Sequence, residues 1–253
     1  HAERVGIEAF STPFDETAVA QLVDLCARRF KISSGDLTHR PLIERVAATG
    51  LPVIFSTGAA DWDELGDARM WWDDAGGNPD VTWLACSLIY PCPVEHAHLE
   101  RIAGLRGWVD RVGYSDHTAH AETALAAAAL GATMLEKHFC LGPSHVPDTA
   151  FALTPDAMAD YVRYARMGAA MVEPCDTDCE AAARVGARRS LCAARDLPAG
   201  TKLTAVDLIA LRPGGGIPPA DLGLTVGRVT VRAYGEGEPI DESDHGQHAP
   251  THG

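Results

Sequence analysis

The chain has 253 residues, of which 46% are hydrophobic, so it can bury a sizeable core in one large or two modest domains. Its formal net charge of -14 disfavours nucleic acid or an anionic membrane surface as the main partner. No apolar run reaches the length of a membrane span, the N-terminus lacks the apolar core of a signal peptide, and the seven cysteines are scattered and odd in number. We therefore expect a cytoplasmic protein.

Six segments in the first part of the chain have the composition of buried strands. They are short, rich in apolar residues and separated by helical patterns, as in parallel sheets. In chain order they cover residues 7–12, 30–34, 52–56, 81–87, 112–118 and 134–139. The pattern predicts six successive βα units.

The helical segments between these strands have recognisable ends. The first is predicted over residues 15–28, with Asp15 as its N-cap. Its buried face is predicted to contain Val19, Leu22, Val23 and Cys26. Later helices are expected to stop at Gly50 and Gly131, because glycine readily adopts the left-handed conformation that ends a helix.

Nearly every predicted strand ends in polar or reactive side chains. These are Ser11, Thr12, Lys31, Ser33, Ser34, Ser56, Thr57, Ser87, Ser115, His117, Glu136 and His138, with Tyr90 just beyond a strand. In a barrel such strand ends converge on one mouth, whereas an open sheet gathers them at a single switch point. We therefore predict a (β/α)₈ TIM barrel. Since six strands cannot close it, we expect about two N-terminal βα units to be missing.

His117 and His138 end two strands that a helical segment connects. A right-handed crossover places the carboxyl ends of both strands at one edge of the sheet. Alternation along a strand puts Ser115 on the same face as His117, and Glu136 on the same face as His138. A carboxylate beside two imidazoles suits Mn²⁺, Fe²⁺ or Zn²⁺. The alternative is that each histidine only caps its strand, but two histidines at matching positions favour a metal or acid/base site.

Several motifs resemble the N-acetylneuraminate (sialic acid) synthase family, in the same order and at similar spacings. They are FSTPFDE (10–16), FKISSGDL (30–37), PVIFSTG (52–58), IYPCP (89–93), VGYSDHT (112–118) and LEKHF (135–139). The part that follows resembles the small, β-rich SAF (antifreeze-like) domain of that family. We expect a partial barrel over 1–180, a SAF domain over 190–240 and a polar, disordered tail over 241–253.

The resemblance implies condensation of phosphoenolpyruvate with an amino-sugar aldehyde such as N-acetylmannosamine. The products would be phosphate and a nonulosonic acid of the sialic, legionaminic or pseudaminic type. The resemblance also implies a divalent metal on His117 and His138, Mn²⁺ in the first place and Mg²⁺ or Co²⁺ as alternatives, to polarise the aldehyde. Asp36 takes the place of an acidic residue that handles protons, so it joins the histidines as a catalytic candidate. Its alternative role is to cap the next helix.

The remaining candidates would bind substrate. A lysine in a sheet core needs an anionic partner, so Lys31 is expected to face either the substrate or an internal salt bridge. The resemblance places it on phosphoenolpyruvate together with Thr12, Ser34 and Ser115, and Ser56 joins these candidates. It places Tyr90 and Asp148 on sugar hydroxyls. Arg212 matches an arginine that the SAF domain of one subunit inserts into the barrel mouth of its neighbour, which implies a homodimer.

A second hypothesis remains open. Leu88 stands where the family usually carries Asn or Ser, and the missing units would contain a family glutamate, lysine and asparagine. These departures favour a truncated or divergent, non-catalytic relative that acts as a sugar-phosphate-binding or partner subunit. Release of phosphate from phosphoenolpyruvate separates the two hypotheses.

Overall fold

A computed structural model describes residues 1–142, 146–174 and 177–241, and the chain divides into two compact units, His1–Glu173 and Pro174–Gly253. The predicted tail from residue 242 onward lies outside the described residues. The first unit contains, in order, α1 (Ala2–Val5), α2 (Glu16–Asp24), β1 (Phe30–Ile32), α3 (Arg40–Ala47), β2 (Val53–Ser56), α4 (Trp62–Asp74), β3 (Val81–Cys86), α5 (Glu100–Arg106), β4 (Val112–Asp116), α6 (Thr123–Ala129), β5 (Met134–Lys137) and α7 (Pro155–Val172). The second contains α8 (Ala181–Ala187), β6 (Ser190–Ala193), β7 (Leu208–Leu211) and α9 (Leu222–Thr225).

The first unit is built on a parallel sheet with the strands in sequential order from β1 to β5. The sheet is strongly curved, because Lys31 Nζ in β1 lies 3.2 Å from Glu136 Oε1 in β5 although three strands separate them. Neighbouring strands are about 4.8 Å apart, so a flat sheet would hold these two residues roughly 19 Å apart. The curved parallel sheet confirms the predicted class, an α/β fold of the TIM-barrel type.

The core of the first unit lies between the sheet and its helices. On β2 and β3, Phe55 and Trp83 stack with their ring centroids 4.5 Å apart, and Trp72 of α4 packs edge-on against Phe55. The helix α3 buries Leu42 and Ile43 completely. Helices cover the outer face of the sheet. The polar side chains at the carboxyl ends of the strands remain available for a site.

The segment 7–12 does not form the predicted strand. Only Ser11 bridges to Phe30 of β1, and the side chains of Ile7 and Phe10 are 64% and 45% exposed. A ladder needs a packed face to hold it, and the described residues cover these apolar side chains only in part. The strand of the first predicted βα unit is therefore reduced to a single β-bridge.

The first long helix is shorter than predicted. Asp15 caps it, as expected, by accepting a hydrogen bond from the Ala18 N–H at 2.7 Å. The helix ends at Asp24, so Cys26 falls beyond it, exposed and with a φ of 59°. Val23 is 45% exposed, which corrects the predicted buried face. The expected stops after α3 and α6 are confirmed, since Gly50 and Gly131 have φ values of 68° and 97°.

The second unit is a small β-rich domain. Its strands β6 and β7 are antiparallel, and isolated bridges such as Leu197 with Tyr234 extend the pairing. The side chain of Asp207 is 4% exposed and pairs with Arg195 at 2.6 Å. The buried apolar core of the second unit consists of Leu191, Ala193, Leu197, Leu203, Leu208, Ile217, Tyr234 and Ile240. Across both units, none of the described helices combines the length and apolarity needed to span a membrane.

Candidate active site

The carboxyl ends of the parallel strands surround a cavity of about 390 Å³, a size that suits a small molecule. We call this cavity the mouth. It is lined by Lys31, Ser33, Ser34, Gly35, Ser56, Cys86, Leu88, Tyr90, Ser115, His117, Glu136, His138 and Asp148. Eight of the candidates from the sequence therefore come together here: Lys31, Ser34, Ser56, Tyr90, Ser115, His117, His138 and Asp148.

His117 follows the completely buried strand β4 and is itself 6% exposed. Its Nδ1 lies 3.1 Å from the carbonyl oxygen of Ser87. A carbonyl can only accept, so Nδ1 carries the proton and Nε2 keeps its lone pair. Burial lowers the pKa of His117, and the neighbouring His138 lowers it further. The ring is thus favoured in its neutral form, the form that can ligate a metal.

His138 directly follows β5 and meets His117 at the mouth. The two ring centroids are 5.4 Å apart, with the ring planes at 61°. The ring of Phe151 packs 4.7 Å from His138, and Asp148 Oδ2 lies 3.5 Å from His138 Nδ1. The carboxylate can orient the imidazole as second-layer partners do at metal sites.

Lys31 and Glu136 meet across the mouth. The pair is partly open to solvent, with side-chain exposures of 14% and 37%, so the lysine is already paired as the internal salt-bridge alternative expected. Two buried oxygens at the mouth, Ser56 Oγ and Glu136 Oε2, have no hydrogen-bond partner among the described residues. Because buried polar atoms are nearly always paired, these two oxygens are available to water or to a polar ligand.

Ser34 and Tyr90 occupy the rim. Alternation along β1 directs Ser33 inward, and the 3₁₀ turn Ser34–Asp36 brings Ser34 to the cavity as well. The Ser34 hydroxyl oxygen accepts a hydrogen bond from the Gly58 N–H at 2.9 Å, and its own proton can be donated to the neighbouring Cys86 sulfur or to a ligand. The ring of Tyr90 lies 4.2 Å from that of His117. Burial raises the pKa of Tyr90 to about 12, which keeps the phenol protonated as a donor.

Three candidates from the sequence do not line the mouth. The carboxylate of Asp36 accepts a hydrogen bond from the hydroxyl of Ser33, a lining residue, at 2.5 Å and lies outside the lining itself. Thr12 is half-buried and lies outside the lining. Arg212 belongs to the second unit, where its exposed side chain makes no hydrogen bond or ion pair with another described residue.

Of two further residues at the mouth, Glu136 was expected beside the histidines from the sequence and Cys86 was not. Glu136 lies two positions before His138, and this spacing already predicted a shared face. Cys86 ends β3 directly opposite Ser115, with its sulfur 3.8 Å from His117 Nδ1. Burial raises the pKa of the Cys86 thiol, which therefore stays neutral. Predicting Cys86 at the mouth would have required the register between β3 and β4, which no sequence motif gives.

Within the described ranges, no group of three or more His, Cys, Asp or Glu side chains is arranged to hold a metal ion. The two imidazoles at the mouth are nevertheless close together, and one of them presents a free Nε2. The protein therefore offers two nitrogen donors, and an ion bound there would need water or substrate for its other positions.

Comparison with known proteins places this arrangement in a family. Residues 1–174 match the NeuB family, and residues 188–244 match the SAF domain. The chain is 37% identical over 233 residues to the uncharacterised protein MJ1065 of Methanocaldococcus jannaschii, covering 90% of this chain and 69% of the relative. It is 34% identical over 236 residues to the N,N'-diacetyllegionaminic acid synthase of Legionella pneumophila, covering 89% and 66%. The chain thus spans about two thirds of the length of these relatives.

A solved structure supports the same grouping. The N-acetylneuraminic acid (sialic acid) synthetase of Leptospira borgpetersenii, in complex with citrate, superimposes with a TM-score of 0.66 and 28% identity, covering 71% of this chain and 65% of that one. Together with the family matches, these relatives are consistent with the resemblance in the sequence motifs. The chain belongs to the NeuB family and carries an SAF domain after the NeuB region.

Proposed function

We propose that the protein condenses phosphoenolpyruvate with an amino-sugar aldehyde of the N-acetylmannosamine type. The observation that carries the proposal is the mouth itself, where two histidines, a lysine and two unpaired buried oxygens face one small cavity. Relatives named as sialic and legionaminic acid synthases support the same chemistry. The reaction would release phosphate and form a 2-keto sugar acid.

Phosphoenolpyruvate carries a phosphate and a carboxylate, so its site needs positive charge and hydrogen-bond donors. Lys31 supplies an ammonium with three N–H donors, and its salt-bridge partner among the described residues is Glu136. The hydroxyls of Ser34, Ser56 and Ser115 line the same cavity and can donate to phosphate oxygens. We assign these four residues to the anionic substrate. Thr12 remains a more distant candidate for it.

The donor set at the mouth fits a divalent ion. Among the described lining residues, one lysine faces the carboxylates of Glu136 and Asp148. Phosphoenolpyruvate would add more negative charge, so a second positive charge is needed to neutralise it. His117 and His138 would hold the ion, with Mn²⁺ as the first choice and Mg²⁺ or Co²⁺ as alternatives. When bound, such an ion would supply a Lewis acid that polarises the sugar aldehyde.

The balance of the reaction is simple. The C3 carbon of phosphoenolpyruvate bonds to the aldehyde carbon of the sugar, and the aldehyde oxygen takes up a proton. A water oxygen adds at C2, the bond from C2 to the phosphate oxygen breaks, and phosphate leaves. As the 2-keto group forms, the water gives up two protons, which balance the one taken up by the former aldehyde oxygen and the one taken up by the released phosphate.

The protein would orient the sugar and move these protons. The protonated phenol of Tyr90 and the carboxylate of Asp148 stand at the rim, where they can bind sugar hydroxyls. Glu136 has a free carboxylate oxygen at the mouth and can accept a proton there. Asp36 could take part only after releasing the Ser33 hydroxyl.

We further propose that Arg212 acts in a homodimer. Its guanidinium is exposed on the SAF domain and unpaired within the described chain. An arginine offers a fork of donors that matches phosphate or carboxylate. Insertion into the mouth of a second copy would add a positive charge to that of Lys31, the one lysine or arginine in the described lining.

The experiment measures phosphate released from phosphoenolpyruvate by the full-length protein with Mn²⁺ and a panel of 2-acetamido and 2,4-diacetamido hexoses. We expect release only when sugar is present, with a matching 2-keto acid detected by mass spectrometry. Binding of phosphoenolpyruvate without turnover of any sugar would instead support a sugar-phosphate-binding relative. Leu88, an apolar side chain lining the mouth and 45% exposed, is the observation that favours this second reading.

A further inference from the structure

A buried ion pair lies behind the two histidines, on the helix-facing side of the sheet. Asp116 and Lys137 immediately precede His117 and His138, and their side chains are 0% and 2% exposed. The register of β4 and β5 sets Asp116 directly opposite Lys137, with Lys137 Nζ 3.4 Å from Asp116 Oδ2. An ion pair therefore links the two strands at the residue that precedes each histidine.

The pair also ties down the chain around the strand ends. Asp116 accepts hydrogen bonds from the Thr118 N–H at 2.8 Å and from the Thr123 hydroxyl at 2.5 Å. Lys137 donates to the carbonyl oxygen of Thr118. One cluster therefore holds β4, β5, the loop after β4 and the first residue of α6. Any movement of the loop that follows His117 would break several of these bonds together.

Stability alone does not account for such a pair. Removing two charges from water is expensive, and a well-packed apolar pair often stabilises a fold as well or better. A charged pair with fixed hydrogen bonds has a different effect, because it admits one register and one orientation. Successive side chains of a strand point to opposite faces, so fixing Asp116 and Lys137 behind the sheet fixes the directions in which His117 and His138 leave it.

We infer that Asp116 and Lys137 are positioning residues, which hold the His117 and His138 imidazoles at the spacing that a divalent cation requires. This inference rests on the proposed function, in which the two histidines ligate that cation. Neither residue touches the mouth, since Asp116 and Lys137 are absent from its lining. They would act through the backbone of the strands, whereas the usual outer partners of metal ligands hydrogen-bond the ligand directly.

The test compares variants of the full-length protein by two readouts. The first is the dissociation constant for Mn²⁺, followed by electron paramagnetic resonance of the free ion. The second is the ¹⁵N spectrum of the histidine rings without metal, which reports the Nδ1–H tautomer of His117. The variants are Lys137→Met, Asp116→Asn/Lys137→Met and the milder Thr123→Val, and Leu65→Ala in the core of α4 is the matched destabilised control.

We expect Lys137→Met and the double variant to bind Mn²⁺ about 10-fold more weakly, the low end of the range for residues that hydrogen-bond a metal ligand directly. The double variant should recover much of the lost thermal stability without recovering Mn²⁺ affinity. Thr123→Val should fall between it and the wild type. Leu65→Ala should lower Tm but leave the Mn²⁺ affinity and the histidine spectrum unchanged.

Two results would overturn different claims. If the Asp116 and Lys137 variants lose stability while the histidine spectrum and the Mn²⁺ affinity match those of the wild type, the pair is structural and the inference fails. If the wild type does not bind Mn²⁺, the metal assignment in the proposed function fails. The histidine spectra of the same variants then still decide whether the pair positions the rings.

Discussion

The strands β4 and β5 differ sharply between their two faces. On the concave face, Ser115, His117, Glu136 and His138 line an open cavity, and Glu136 Oε2 is buried without a partner. On the convex face, one residue away along each strand, Asp116 and Lys137 form a closed pair with defined hydrogen bonds.

Residues available to a ligand and residues that fix the fold thus lie one position apart along the same two strands. Polar groups that the protein leaves unsatisfied weaken the fold but are available to a ligand, whereas satisfied buried charges fix geometry and offer a ligand nothing. Substitutions on the concave face should therefore change activity more than stability. Substitutions on the convex face should change stability more than activity. They should affect activity only by moving the two histidines.

The largest change in stability is expected for Asp116→Asn. The substitution leaves the Lys137 ammonium buried without its countercharge, and breaking a buried pair in this way lowers the free energy of unfolding by about 3–5 kcal/mol. Urea denaturation measures the difference. The control is Asp80→Asn, which removes an exposed partner of Arg111 and should change the free energy by at most about 1 kcal/mol. Equal effects of the two substitutions would contradict the contrast between the faces.

The next effect is expected for Lys31→Met on the concave side. A hydrogen bond to a charged group contributes about 1.5–3 kcal/mol, so kcat/KM for phosphoenolpyruvate should fall about 10- to 100-fold. The KM for the sugar should stay nearly constant. Lys202→Met removes an exposed lysine of the second unit and serves as the control. An unchanged kcat/KM in Lys31→Met would exclude this lysine from the anion site.

The smallest change in stability is expected for Glu136→Gln. The carboxylate pairs with Lys31 while 37% of its side chain is exposed, so the free energy of unfolding should change by less than about 1 kcal/mol. Thermal and urea denaturation beside Asp116→Asn measure this directly, since the two residues lie on neighbouring strands and opposite faces. A loss as large as that of Asp116→Asn would mean that Glu136 belongs to the structural network.

The sequence predicted much of this site because strand ends follow simple rules. Alternation and the βα order were enough to bring His117 and His138 together, and the same alternation identified the face of Glu136. The curvature that brings Lys31 against Glu136 depends on the sum of packing between several strands, which no local pattern contains. The barrel class could therefore be predicted, whereas the pairing across the mouth could not.

Other differences have local causes. The segment 7–12 has a strand-like composition, but composition does not supply the neighbouring surface that a strand must pack against. For Asp36, the spacing of its motif could not show that its carboxylate would accept a hydrogen bond from the Ser33 hydroxyl and stay outside the lining of the mouth. In the first case incomplete packing against the rest of the fold decided the outcome, and in the second a local hydrogen bond between residues three positions apart.

The most direct test of the account measures phosphate release from phosphoenolpyruvate, with Mn²⁺ and an N-acetylmannosamine-type sugar, by the wild type and by His117→Ala/His138→Ala. The account predicts that the wild type releases one phosphate for each 2-keto acid formed. The double variant should release none above background while it unfolds at nearly the same temperature. Equal phosphate release by the two proteins, or none by the wild type with any sugar of the panel, would contradict it.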